Sequence, residues 1–281
     1  LWFPYSRRSF DGNASSPSAV AIIDSKTDRI VRVMPTGPLP KYVAISPDSK
    51  QAVITHWGDN TLGAIDISSS NPAEFKYTGH WTVEQRLPTA GIGGNRDSNC
   101  GYCLRGTSFT PDGKTVLVAR MGGGGIAGFE AATGRYLGTV LNTPANPRHM
   151  VISKDGSEIL ISGNSSGVVG RYGLAGLVAA LYQANGQRVA GPQGRILAVG
   201  TGARTIELSP DQKSLYVAVN NQARLVKVDL ASWQVVDSVA VDPFTVGLAV
   251  SPDGKTIVTT SQGRAGQGGG QSVGLYHDET K

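Results

Sequence analysis

Five segments of the chain repeat a single sequence pattern. Each reads as a strand with alternating apolar residues, then a turn of the type Ser/Thr-Pro/Lys-Asp-Gly, then a second strand rich in β-branched residues. Alternation is the period of a β-strand, and Pro-Asp-Gly supplies the fixed φ, the side-chain hydrogen bond and the positive φ of a tight turn. The pattern predicts five hairpins, anchored at Ser46, Thr110, Ser153, Ser209 and Ser251.

The spacing of these anchors predicts the architecture. They lie 64, 43, 56 and 42 residues apart, so two intervals match a four-stranded blade of about 40–50 residues. The other two intervals equal the same repeat with insertions of roughly 21 and 13 residues. One four-stranded unit cannot bury both of its faces, so neighbouring units must stack into a ring. The sequence therefore predicts an all-β chain that folds as a β-propeller of four-stranded antiparallel blades.

Six blades are visible, and together they predict a single domain over residues 1–281. The first blade lacks only its innermost strand, and the sixth stops after its third strand. A seventh blade is expected if the chain, which begins at Leu1, is trimmed. The approximate blade bounds are 1–40, 41–103, 104–146, 147–203, 204–244 and 245–281.

The repeat resembles that of the YVTN-type bacterial propellers. The shared pattern begins with a basic residue, which a Val or Leu follows in the same strand. Ser/Thr-Pro-Asp-Gly-Lys comes next, then a second strand and a later x-Val-x-x-Ile/Val-Asp stretch. The resemblance implies export to the periplasm, the cell surface or the medium, and a binding or scaffold role. Relatives include lactonase-like enzymes, a periplasmic DNA-binding propeller and haem d1-type domains. The chain departs from the family at the Asn-Gly-Asp loop, which Gly122–Gly125 replaces in blade three.

The two cysteines, Cys100 and Cys103, form a CxxC pair. An even pair in a loop-rich chain predicts a local disulfide and an oxidising compartment. Three alternatives fit less well. Haem attachment needs a His where Leu104 stands, a zinc site needs two further ligands, and a thioredoxin-like pair belongs in a βαβ unit.

Basic residues recur at one position of the repeat. Five residues before the anchors stand Lys41, Arg105, Arg148 and Arg204, with Val246 in the last blade. We use the name mouth face for the side of the blades that carries the loops between strands two and three and the connections between blades. His56 and Trp57, His149, the second-to-third-loop residues Arg7, Arg8, Arg120 and Arg264, and the insertion from about His80 to Cys103 all map to this face.

Two interpretations of the mouth face stay open. Converging guanidinium groups in a concave mouth bind carboxylate or phosphate, which predicts a ligand site made of Lys41, His56, Trp57, Arg105, Arg148, His149 and Arg204. The same basic residues could instead bridge neighbouring blades. Trp57 and Trp81 could form a stacking platform or cover a blade edge.

No catalytic residue or metal ligand is predicted, because the chain's four histidines are scattered. The sequence favours a non-catalytic, exported binding or scaffold propeller whose partner is an anionic small molecule or another protein chain. No cofactor is predicted. A lactonase-like enzyme, or one that carries haem or a divalent metal, is the first alternative. A nucleic-acid-binding propeller is the second, suggested by the pI of about 9.2 and by aromatic residues in loops.

The longest apolar run, Leu174 to Tyr182, is too short to span a bilayer, so no membrane span is predicted. Its apolar residues recur at helical spacing, which predicts a short amphipathic helix between strands three and four of blade four.

Overall fold

The computed structural model describes residues 1–5, 18–88, 100–263 and 270–279. In these ranges the chain is nearly all β, with six small sheets arranged as the blades of a β-propeller and one α-helix. The fold class and the six blades predicted from the repeat are confirmed. The chain divides into two compact units, described separately below: unit 1 is Leu1–Leu141 with Val178–Ala190, and unit 2 is Asn142–Leu177 with Gly191–Lys281.

Unit 1 contains the first three sheets. The first has three strands, β1 (Trp2–Tyr5), β2 (Ala19–Asp24) and β3 (Arg29–Pro35). The second has four, β4 (Pro40–Ile45), β5 (Gln51–His56), β6 (Thr61–Asp66) and β7 (Lys76–Thr82). The third has β8 (Leu104–Phe109), β9 (Thr115–Arg120), β10 (Ile126–Glu130), β11 (Tyr136–Leu141) and, parallel to β11, the added strand β15 (Arg188–Ala190).

Unit 2 contains the other three sheets. The fourth has β12 (Pro147–Ile152), β13 (Glu158–Gly163), β14 (Val168–Gly173) and β16 (Arg195–Ala198). The fifth has β17 (Ala203–Leu208), β18 (Ser214–Val219), β19 (Arg224–Asp229) and β20 (Gln234–Ala240). The sixth has β21 (Thr245–Val250), β22 (Thr256–Gly263) and β23 (Gly270–His277).

All five anchor turns are built alike. In the first, the Ser46 hydroxyl donates to Asp48 Oδ1 at 2.6 Å, and Asp48 Oδ1 accepts from the Lys50 backbone N–H at 3.1 Å. The anchor hydroxyl also accepts a backbone N–H at the start of the next strand, at 2.9 Å from Gln51. The same bonds recur at Thr110, Ser153, Ser209 and Ser251. The turn chemistry that defined the repeat is therefore what closes each hairpin.

The predicted helix is α1 (Leu174–Ala184). Leu174, Leu177 and Leu181 are buried, and Leu181 lies over Gly128, where a Cβ would stand 2.6 Å from its Cδ1. The chain then adds β15 to the third sheet before it returns as β16 to the fourth. This excursion to the third sheet was not foreseen, because three residues are too few for a sequence period.

The predicted insertion from about His80 to Cys103 starts later than expected. His80 and Trp81 belong to β7, which continues to Thr82, and are not part of the connection to the next blade. Trp81 is buried and its ring stacks on Phe129 at 5.7 Å between centroids. Gly79 interrupts the alternation of apolar and polar residues in β7, so the sequence did not indicate that this strand continues to Thr82.

Candidate functional site

The innermost strand of every blade that has one carries a β-bulge at the repeated basic position. The register between first and second strands shifts across Lys41, Arg105, Arg148 and Arg204, and across Val246 in the sixth sheet. A bulge leaves one residue out of the ladder and re-aims its side chain, and bulges are frequent beside functional sites. The repeated residue is thus positioned by a β-bulge in both units.

Hydroxyl groups fix the bulges to the neighbouring blade. In unit 1, Thr55 Oγ1 accepts from the Tyr42 N–H at 3.1 Å and donates to the Arg105 carbonyl at 2.7 Å. In unit 2, Ser162 Oγ accepts from the His149 N–H at 3.1 Å and donates to the Arg204 carbonyl at 2.5 Å. The backbone carbonyls of Arg105 and Arg204 are thus hydrogen-bonded to the neighbouring blade, whereas the interpretation that the basic side chains bridge the blades stays a prediction.

Two of the predicted site cations converge on one aromatic ring in unit 1. The Arg105 guanidinium carbon lies 4.6 Å from the Trp57 ring centroid, and the Lys41 ammonium lies 5.5 Å from it. Both distances are those of cation–π contacts. Since the two cations come from adjacent blades, Trp57 holds positive charge from both at one place on the mouth face. We call Lys41, Trp57 and Arg105 the mouth cluster.

The disulfide packs against Trp57 of the mouth cluster. Cys100 and Cys103 are bonded with their Cα atoms 4.9 Å apart, which confirms the predicted pairing. Both cysteines are buried against Trp57 and Leu39, with Met121 alongside. Gly122 passes so close that a Cβ there would lie 2.5 Å from the Cys103 sulfur. A side chain at position 122 would therefore clash with the disulfide, which accounts for the glycine there.

His56 lies beneath the cluster and is fully buried. Its Nε2 accepts the Gly37 N–H at 3.2 Å, so Nδ1 carries the ring proton and donates to Thr61 Oγ1 at 2.8 Å. Thr61 Oγ1 in turn donates to Asp59 Oδ1 at 2.7 Å. Burial lowers the pKa of His56 to about 3, so the ring is neutral at pH 7. His56 orders the loop that carries Trp57, and its own nitrogens face protein groups.

In unit 2, Arg148 is buried and Arg204 is half-buried at their bulges. The His149 Nδ1 atom lies 3.0 Å from the Ile206 carbonyl oxygen and 3.3 Å from the Ile206 backbone nitrogen, a contact that ties β12 to β17. The ligand role predicted for these three residues stays a prediction.

The buried state of His149 makes stability depend on pH. Burial lowers its pKa to about 4, below the ordinary 6.5 of the unfolded chain, so stability is lost as pH falls through that interval. The expected contribution is about 1.4 kcal/mol per pH unit. In urea unfolding between pH 5.0 and 6.5, His149→Gln should reduce the slope of unfolding free energy against pH by about that amount. An unchanged slope would contradict this role, whatever the variant's stability at pH 7.

The mouth face of unit 1 carries a second charged group. Of its residues, only Arg120 was predicted from the sequence to lie on this face. Glu84 binds Arg188 through two hydrogen bonds of 2.9 and 2.7 Å and pairs with Arg120 Nη1 at 3.0 Å. The Tyr102 hydroxyl donates to Glu84 at 2.5 Å, and its ring lies 4.0 Å from the Arg120 guanidinium carbon. The Arg188 hydrogen bonds, more than the other contacts, lower the pKa of Glu84 to about 2. No sequence spacing signals this group, since its members are up to 104 residues apart.

Four further arginines of the predicted mouth face and its insertion are not described by the structure. Arg7, Arg8, Arg96 and Arg264 lie outside the described residues. Among the residues that are described, no cluster of three or more His, Cys, Asp or Glu side chains is placed to hold a metal ion, and no helix is long and apolar enough to cross a membrane.

Comparison with known proteins shows the fold alone. No family model matches the chain, and no curated protein matches it in sequence. Among solved structures, hydrazine synthase of Kuenenia stuttgartiensis superposes with a TM-score of 0.63 at 17% identity, over 87% of this chain and 68% of that one. A functionally unknown protein from Desulfotomaculum acetoxidans gives a TM-score of 0.61 at 15% identity, over 87% and 69% of the two chains.

Proposed function

We propose that this chain is an exported binding propeller that holds an anionic ligand, or the acidic surface of a partner protein, on its mouth face. The observation that carries the proposal is the bulge at each innermost strand, which presents a Lys or Arg in four of five blades. The bulge also occurs at Val246, so it belongs to the blade itself, and the basic side chains at four of its five positions are what support the proposal.

The mouth cluster is the part of the face best suited to an anion. Lys41 and Arg105 meet over Trp57, and their strands are fixed to each other through Thr55. Arginine binds carboxylate and phosphate through paired hydrogen bonds, and lysine adds a compact charge. Because the cations are pre-positioned, little side-chain entropy is lost when an anion binds.

Export is supported by the disulfide and by the resemblance to YVTN-type propellers. Disulfides persist in oxidising compartments and are rare in the cytosol. The Cys100–Cys103 bond packs directly under Trp57, so the oxidised state and the mouth cluster belong to one local structure.

Charge reversal at the mouth cluster tests the proposal. The double variant Lys41→Glu, Arg105→Glu should weaken binding of inorganic tripolyphosphate and of poly-glutamate by roughly thirtyfold, about 2 kcal/mol. Isothermal titration calorimetry at 50 mM salt would measure the affinities. The two probes separate a small-anion site, which binds tripolyphosphate better, from a surface for an acidic protein.

The matched control is Lys50→Glu, Lys114→Glu, which makes the same change in net charge at exposed lysines near the anchor turns. It should leave both affinities within about twofold, because exposed charges act weakly at a distance. Equal weakening by the two double variants, or none by either, would count against the mouth cluster.

A further inference from the structure

A cleft of about 510 Å³ lies at the outer rim of unit 1, between β3 and β7. We call it the rim cleft, and its chemistry is set by Arg32, Phe75, Lys76, Tyr77, His80 and Arg86. Its volume falls in the range of small-molecule sites. None of the mouth cluster residues lines it.

The rim cleft is distinguished by its charge. Three permanent cations line it, Arg32, Lys76 and Arg86, and no carboxylate is among its lining residues. Three other cavities of the described chain each contain at least two carboxylates beside their basic residues. An excess of positive charge between low-dielectric walls attracts anions, because the field is focused there.

Its two guanidinium groups are held in place by the protein. Arg32 Nη1 donates to the Pro72 carbonyl, and Arg86 Nε lies 3.3 Å from Asp59 Oδ2. The Asp59 side chain is fully buried, while that of Arg86 is 56% exposed. Each arginine is thus anchored on one edge and borders the cleft, which lowers the entropy that a bound anion would cost.

Stacked rings form one wall of the cleft. The Tyr77 and His80 rings lie 5.2 Å apart at 15°, and His80 is exposed. Partial burial, and then the charge of Arg86, lower the pKa of His80, which favours the neutral form of its ring. An exposed flat ring beside fixed cations suits a ligand that joins a planar group to an anion.

The geometry points to a second binding site in the rim cleft, for the phosphate group of a small phosphate ester that carries an aromatic ring. The dianionic phosphate would meet Arg32, Lys76 and Arg86, and the ring would stack on His80. Phosphate fits better than carboxylate because Arg32 and Lys76 match its charge of nearly −2 at neutral pH, while the charge of Arg86 is shared with Asp59. This site does not depend on the function proposed for the mouth face.

Phenyl phosphate is the probe for the test, added to the intact chain and followed by NMR of the histidine rings at pH 7.5. The His80 ring resonances should shift in a saturable way, while those of His149, buried in unit 2, should stay in place. Cyclohexyl phosphate carries the same charge without the π face, so it should bind at least threefold more weakly. Absence of a saturable His80 shift would overturn the site, and equal affinity of the two esters would overturn the ring contact.

Lys76→Glu should weaken phenyl phosphate at least tenfold, since Lys76 is exposed and its replacement reverses one of three charges. Lys114→Glu is the matched control, and Arg105→Glu separates this site from the mouth cluster. Both controls should bind phenyl phosphate as the unaltered chain does. Loss of affinity in the Arg105 variant but not in the Lys76 variant would assign the phosphate to the mouth cluster and overturn the rim cleft.

Discussion

Replacing Glu84 with Gln should lower the free energy of unfolding by about 3–5 kcal/mol, because it leaves a buried arginine without its counter-charge. The Arg120 side chain has no exposed surface, and Glu84, itself 22% exposed, is its ion-pair partner at 3.0 Å. The contact with the Tyr102 ring remains, yet a cation–π contact replaces only part of a lost carboxylate. Urea unfolding followed by circular dichroism would measure the change.

Two variants make this result specific. Glu130→Gln removes a carboxylate whose partner Arg135 is about half exposed, so it should cost no more than about 1 kcal/mol. Combining Glu84→Gln with Arg120→Met removes both charges and should recover most of the lost stability, since uncharged side chains of similar volume often replace a buried pair at little cost. Similar losses for Glu84→Gln and Glu130→Gln would show that Arg120 does not need Glu84.

The same group predicts an acid response. The pKa of Glu84 is lowered to about 2 in the folded chain from an ordinary value of 4.5. Its contribution is therefore fully present above pH 4.5 and is lost as pH falls from 4.5 toward 2. Glu84→Gln should accordingly flatten stability against pH in that window.

Replacing Trp81 with Ala should be comparably severe, at about 3–5 kcal/mol. Trp81 is 9% exposed, stacks on Phe129, and packs in the core cluster that joins the second and third sheets of unit 1. Removing the indole leaves a cavity that the rigid sheets cannot close. Gly134 approaches the ring so nearly that a Cβ there would lie 2.1 Å from Trp81 Nε1, which shows how tightly the indole is enclosed.

Phe3→Ala is the matched control for Trp81→Ala. Phe3 is also an aromatic residue of a strand, but it is 60% exposed, so its loss should change stability by less than about 0.5 kcal/mol. A small effect of Trp81→Ala in the same unfolding assay would contradict the core role and revive Trp81 as a stacking surface.

The fold could be predicted because the information for it is local and repeated. Each anchor turn is closed by hydrogen bonds within five residues of the anchor, as at Ser46 and Asp48. A short stretch of sequence therefore contains every residue that forms the turn. The Cys100–Cys103 bond was predictable for the same reason. The repetition of the pattern then indicated that similar sheets are neighbours, which one short stretch of sequence cannot show.

The candidate site was predictable only in part. The recurring basic residues were visible at a fixed distance from the anchor, but the bulges that present them depend on pairing with the second strand. The Glu84 group depends on residues such as Arg188, which follows α1. The rim cleft depends on the outer strands of two consecutive sheets, β3 and β7, with three strands between them in the sequence. Such contacts across blades leave no period in a sequence.

The two proposed sites lie in different parts of unit 1. The mouth cluster combines charge with a tryptophan that is locked by the disulfide, whereas the rim cleft combines charge with a ring wall at the outer strands. Their responses can be separated because no residue belongs to both.

Fluorine NMR of the chain labelled with 5-fluorotryptophan tests the mouth cluster most directly, since it reports on the ring between Lys41 and Arg105. The chain has four tryptophans, and Trp57→Phe assigns the relevant signal. Titration with tripolyphosphate should shift the Trp57 resonance saturably and leave unmoved that of Trp81, which is equally buried but contacts neither Lys41 nor Arg105. A Trp57 signal that stays fixed while the anion binds elsewhere would contradict the proposed binding function.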